Sequence, residues 1–168
     1  MLAGAKFSPN PPLTFPFSCG ILISERKVLR MTHLQAIRWF ASYVANTHVV
    51  LVKDNEWCMD VWSAKPRLHL PQDLFEHDDY DDIFRSDFVR RCPVAINFSD
   101  ITLTILHEIG HYFTREVFFS CYTEYENVTG FEYFSIPYEV AATDWAIAWL
   151  QDAENREIAK RFEEDFDA

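Results

Sequence analysis

The sequence predicts an α+β fold: a short mixed sheet packs against a helix built around His107-Glu108-Ile109-Gly110-His111 and a second helix that carries Glu139. Three observations predict it. Residues 101–113 set a histidine pair at helical spacing among apolar side chains. Residues 137–150 repeat small residues on one helical face, and short β-branched runs between residues 49 and 98 supply strands. At 168 residues, 49% hydrophobic and 24% charged, the chain is expected to form one core. Residues 1–30 read as an irregular lead-in and residues 31–168 as a single domain.

Prolines at 9, 11, 12 and 16 interrupt the lead-in, and only Lys6 supplies early positive charge. That fits a secretory signal poorly and gives a cytoplasmic expectation. Residues 20–24 (GILIS) fit an edge strand. Thr32 and Gln35 then form a capping-box pattern, and Leu34, Ile37, Ala41 and Val44 keep one apolar face, so a helix follows Met31. Residues 49–53 are β-branched, Asp54-Asn55 is turn material, and Trp57, Met59 and Val61 alternate with polar neighbours. Together they read as a hairpin. Pro66 and Pro71 make the next segment a loop or an edge strand. Residues 76–82 (EHDDYDD) read as a solvated acidic loop, lacking the glycine and distal glutamate of an EF-hand. A short helix is expected over 82–91, a buried strand over 93–98 (PVAINF), and an N-cap at Ser99-Asp100.

The formal net charge of −11 argues against binding a phosphate backbone, so no direct nucleic-acid contact is expected. Cys19, Cys58, Cys92 and Cys121 contain no CxxC pair, which excludes ribbon and thioredoxin patterns and favours reduced thiols. No run reaches the roughly 18–20 apolar residues that span a membrane. Fifteen Phe, seven Tyr and five Trp point to a core packed with rings.

In a helix, His107 and His111 lie one turn apart on one face and can aim both imidazoles at one metal ion. Glu108 is turned aside from the ion but can reach a water beside it as a general base. With 6 His and 13 Glu, chance supplies this pentapeptide about 0.016 times in such a chain. Two histidines and a glutamate among Leu, Ile and Phe would cost several kcal/mol if buried without partners, and a metal removes that cost.

A catalytic zinc ion normally takes three protein ligands. The extended metzincin motif would need His at 117 and Gly at 114, where this chain has Val117 and Thr114. Downstream acids are Glu116, Glu124, Glu126, Glu132, Glu139 and Asp144. The middle ones lie in a loop-like stretch with Gly130. Glu139 instead opens a helix that Ser135 can cap and Pro137 can start. It shares a face with Ala142, Thr143, Ala146 and Leu150, small enough for close approach to the first helix. Glu139 is therefore the expected third ligand, with Glu132 as the fallback.

These residues resemble the ImmA/IrrE family of zinc metallopeptidases, which pairs HExGH with a downstream E-x-x-A-x-x-F-A-x-x-L-L helix. Glu139, Ala142, Ala146 and Leu150 match the second pattern, with Trp145 in place of Phe, over a resemblance spanning residues 31–152. The chain departs from the family at Ala141, Thr143 and Gln151-Asp152, which leaves the zinc site intact and the substrate open. The resemblance implies a small zincin-like fold and an intracellular enzyme cutting a specific protein, such as a repressor or other regulator of a phage or mobile element.

The expected activity is zinc-dependent cleavage of a protein or peptide substrate. His107, His111 and Glu139 would hold Zn²⁺, and Glu108 would move the proton. Tyr133, Tyr138 and His69 are unranked candidates for stabilising the oxyanion. A second function class stays open on the residues: an acidic, non-proteolytic protein-binding module with a structural or vestigial metal site. Oligomeric state is not readable from the residues.

Overall fold

The computed structural model describes residues 32–53, 57–71, 82–125, 128 and 130–167. The expected irregular lead-in, the edge strand at 20–24, Cys19, Glu126 and most of the acidic run at 76–82 lie outside them. The described residues are mixed α+β, with six α-helices and one three-stranded mixed sheet.

Helix α1 (His33–Ala45) begins as its capping box dictates. The Gln35 N–H donates to Thr32 Oγ1 at 3.3 Å, and the Thr32 N–H donates to Gln35 Oε1 at 2.8 Å. It ends at Asn46, whose φ of 50° is a left-handed cap that asparagine tolerates. Ala36, Ile37, Phe40 and Ala41 form its buried stripe.

Strands β1 (His48–Val52), β2 (Cys58–Met59) and β3 (Arg67–Pro71) are ordered β1-β3-β2. This corrects the expected hairpin. β1 runs parallel to β3, and β2 pairs antiparallel with β3 rather than with β1. The segment expected as loop or edge is the middle strand. Its prolines stand just before the strand and at its last residue, so neither interrupts the ladder, while Leu68 and Leu70 are fully buried.

Helix α2 (Asp82–Arg91) forms where expected. Residues 93–98 do not form a strand: Pro93–Asn97 is a 3₁₀ turn. Pro93 fixes φ and removes a ladder donor, and the buried positions are Ala95 and Phe98, three apart, with Val94 and Ile96 exposed. Apolarity alone concealed that period.

Helix α3 (Asp100–Phe113) is capped by Ser99, and its N-terminus is also gripped by α6 (Ala153–Phe166). Glu163 Oε1 accepts from the Ser99 N–H at 2.7 Å, from Ser99 Oγ at 2.9 Å and from Thr102 Oγ1. Arg85 of α2 pairs with Asp100 and donates to the Phe98 carbonyl at 3.1 Å. A carboxylate at this end also complements the helix dipole. Phe162 stacks on Phe40 of α1 with ring centroids 4.5 Å apart, docking α6 into the core. The short helix α4 (Arg115–Cys121) follows α3.

Helix α5 (Pro137–Gln151) starts on Pro137, but Ser135 is not its cap. Ile136 holds that position, and Ser135 Oγ donates to the Glu132 carbonyl at 2.9 Å. Glu139, Ala142, Thr143, Ala146 and Leu150 form one buried face of α5, as the spacing predicts. That face lies directly on α3 at Gly110. A Cβ placed on Gly110 would lie 3.0 Å from both the Cα and the carbonyl carbon of Ala142, and closer still to its oxygen. No described helix is long and apolar enough to cross a membrane. Cys92 is a buried free thiol and Cys121 a half-buried one.

Candidate metal centre

The site forms where α3 and α5 touch. Helical spacing puts the His107 and His111 rings edge to face at 4.7 Å, both toward α5. There a single oxygen meets them: Glu139 Oε2 lies 2.9 Å from His107 Nε2 and 3.3 Å from His111 Nε2. His107 and Glu139 are only 6% and 3% exposed.

His107 is held from two further sides. Its Nδ1 lies 3.0 Å from Thr143 Oγ1, one turn along α5 from Glu139, and Phe84 of α2 sets its ring edge-on at 5.1 Å. With Nδ1–H donating to the threonine hydroxyl, Nε2 is the nitrogen presented to the site.

Glu108 belongs to the same cluster. Its carboxylate and the two imidazoles place ligand-capable atoms within 4.8 Å of one another. The Met59 N–H of the edge strand β2 faces that carboxylate and favours its charged form. Two carboxylates, Glu108 and Glu139, therefore stand against the imidazole pair. Bonds of about 2.0–2.1 Å in a tetrahedral zinc site separate donor atoms by about 3.3 Å. Glu139 Oε2 sits near that spacing from both imidazoles.

The electrostatics separate the two acids. Burial raises the Glu108 pKa above the ordinary carboxylate value. The attraction of His111 and His107 and the Met59 hydrogen bond offset this only in part. Burial also pushes Glu139 upward, but hydrogen bonds and charge attraction from both imidazoles reverse it and hold the carboxylate well below the usual range. Desolvation lowers His111, yet the Glu139 hydrogen bond and the charges of Glu108 and Glu139 outweigh it, so its pKa is raised. Neighbouring carboxylates driven apart in this way are suited to different tasks.

Compared with known protein families, curated proteins and solved structures, the chain matches none.

Of the residues expected from sequence, His107, Glu108, His111 and Glu139 are brought together. Tyr133 joins them. Although 39% exposed, it turns its hydroxyl onto the Glu139 carboxylate, and desolvation together with the Glu139 and Glu108 charges raises its pKa. Tyr138 stands beside the site, its ring 6.2 Å from His111. His69 lies in the middle strand opposite Cys58. Glu116, Glu124 and Glu132 are exposed, and Asp144 pairs with Arg91 on the outer side of α5. Sequence reasoning missed the roles of Gly110, Thr143, Phe84 and the Met59 N–H. The first two left a signal: a glycine inside an apolar helix, and a hydroxyl four residues after the glutamate on the same face. The last two come from distant segments and left none.

Proposed function

We propose that the protein is a zinc-dependent peptidase. The observation that carries the proposal is the meeting of His107 Nε2, His111 Nε2 and the buried Glu139 Oε2 across two helices, with a second, electrostatically distinct carboxylate alongside. His107, His111 and Glu139 would hold the ion. Bound there, zinc supplies Lewis acidity, polarising a carbonyl and making water acidic enough to react near neutral pH.

The chain's own groups do the remaining work. Thr143 orients His107, and the Phe84 ring packs against it edge to face. Glu108, whose pKa burial raises above the ordinary carboxylate value, accepts the proton of the attacking water and delivers it to the departing amine. The Met59 N–H steadies the carboxylate between these two tasks. Tyr133 keeps its proton at physiological pH and is placed to donate to an oxyanion, so it leads the three earlier candidates.

The resemblance to the ImmA/IrrE family extends the proposal to a specific intracellular substrate, such as a repressor or other regulator of a phage or mobile element. The test pairs two variants. Glu108→Gln should retain about one zinc per chain and lose cleavage by at least about a hundredfold, while Glu139→Ala should lose zinc. Full activity in Glu108→Gln, or unchanged stoichiometry in Glu139→Ala, refutes the respective role.

A further inference from the structure

Beside the metal centre a series of rings continues outward to the surface. Tyr138 lies 6.2 Å from His111 and 5.1 Å from Phe118 of α4. Phe118 lies 6.0 Å from Trp62, which in turn lies 4.7 Å from Phe119 and 5.7 Å from Tyr122. Trp62 is 67% exposed and Phe119 is 41% exposed. Two large apolar rings thus face solvent at the end of a ladder that starts at a metal-ligand candidate.

The Trp62 loop is held in place. Asp60 Oδ1 accepts from the Trp62 and Ser63 N–H groups, each at 3.1 Å, and the Tyr112 hydroxyl of α3 donates to the Ala64 carbonyl at 3.2 Å. Val61 and Pro66, on either side, are buried. An exposed tryptophan fixed by its own turn offers a contact surface at little entropic cost on binding. Exposed aromatic surface bordering a reactive site is a mark of recognition rather than of core packing.

We infer that Trp62, Phe118 and Phe119 form a specificity subsite that takes an aromatic or large aliphatic side chain of a polypeptide substrate. The inference rests on the peptidase reading of the metal centre. The ring-to-ring steps keep Trp62 within about 17 Å of His111, which an extended chain covers in about five residues. The side chain recognised therefore belongs to a residue within about five positions of the bond cut. The continuity of the rings with the site selects a substrate chain over a separate docking partner.

The test uses the zinc-loaded full chain, denatured casein, and two neutral fluorescein-labelled peptides of roughly ten residues. The peptides differ only in carrying phenylalanine or serine at their central positions. Cleavage sites in casein should cluster near Phe, Tyr, Trp, Leu or Met. Trp62→Ala should lower kcat/KM about tenfold for the phenylalanine peptide, through KM, and leave the serine peptide unchanged. Trp62→Phe should restore the preference. An equal loss on both peptides, or a loss in kcat at constant KM, would show that the rings merely clamp the loop to α4, and overturns the inference. Should Trp62→Ala fail to fold, Phe119→Ser carries the same comparison. Should the wild type cut none of the probes, cleavage does not report on the subsite. The subsite is then judged by fluorescence anisotropy on zinc-loaded Glu108→Gln. Tighter binding of the phenylalanine peptide that Trp62→Ala abolishes supports the subsite, and equal binding of both peptides overturns it.

Discussion

Gly110→Ala tests the contact on which the whole site depends. The added methyl would stand 3.0 Å from the Cα and carbonyl carbon of Ala142, all three belonging to helix backbones with no rotamer to move. Carbon atoms pack comfortably at about 3.5–4.0 Å, so α3 and α5 must separate locally by about 0.5–1 Å. Metal–ligand bonds tolerate about 0.2 Å, several times less. The proposed ligands come from both sides of this contact, two from α3 and one from α5. The variant should therefore bind zinc at least about tenfold more weakly in a chelator competition. Two terms oppose each other in stability. Overpacking costs about 1–3 kcal/mol, and alanine gains up to about 1 kcal/mol over glycine in a helix. The net loss should lower the thermal midpoint of metal-free protein by roughly 2–8 °C. If Gly110→Ala instead melts higher and binds zinc normally, the helix propensity term is acting alone, and the close approach is refuted.

Three further outcomes follow from the same geometry. Thr143→Val removes the hydroxyl that orients His107 while keeping its shape, and should weaken zinc binding about 10–100-fold with little change in secondary structure, measured by competition and circular dichroism. Glu163→Ala strips three acceptor contacts from the start of α3 and should destabilise by about 1–3 kcal/mol in urea, even though Glu163 lies outside the metal cluster. A stability loss below about 0.5 kcal/mol would show that Ser99 caps α3 unaided.

The third outcome concerns pH in the metal-free protein. The folded-state pKa of His111 is raised, so the stability it contributes is present below the unfolded histidine value and is lost as pH rises through the folded one. Glu139 is depressed, so its contribution is present above the ordinary carboxylate value and is lost only in strong acid. Metal-free protein should melt lower at about pH 9 than at about pH 6. Zinc should reverse the order, because the deprotonated imidazoles are the ligands. A zinc-loaded protein that melts higher at the lower pH would contradict the assignment.

Much of the helical half was legible in the sequence. Thr32 and Gln35 marked the start of α1, and Ser99 capped α3 because a side chain accepting from the first turn is a local matter. The spacing of His107, His111 and Glu139 on two amphipathic faces anticipated the cluster. The sheet was not legible in this way. Which strand pairs with which depends on long-range hydrogen bonds, and the alternation in residues 57–61 suited either β1 or β3 as partner. Pro93 was the local clue that residues 93–98 turn rather than extend, and apolar content masked it.

By itself the sequence determined the inventory: two imidazoles one turn apart, an adjacent carboxylate, and a third acid on a face of small residues. Periodicity along a single helix fixes those relations whatever surrounds it. Only the tertiary structure decided where the acids stand. It brought Glu139 Oε2 against both imidazoles and left Glu108 beside them under the Met59 N–H, with the opposing pKa shifts that follow. Burial and charge at a site are summed over segments far apart in the chain. The fold alone performs that sum, and the glycine at 110 lets the two helices come close enough for it to matter.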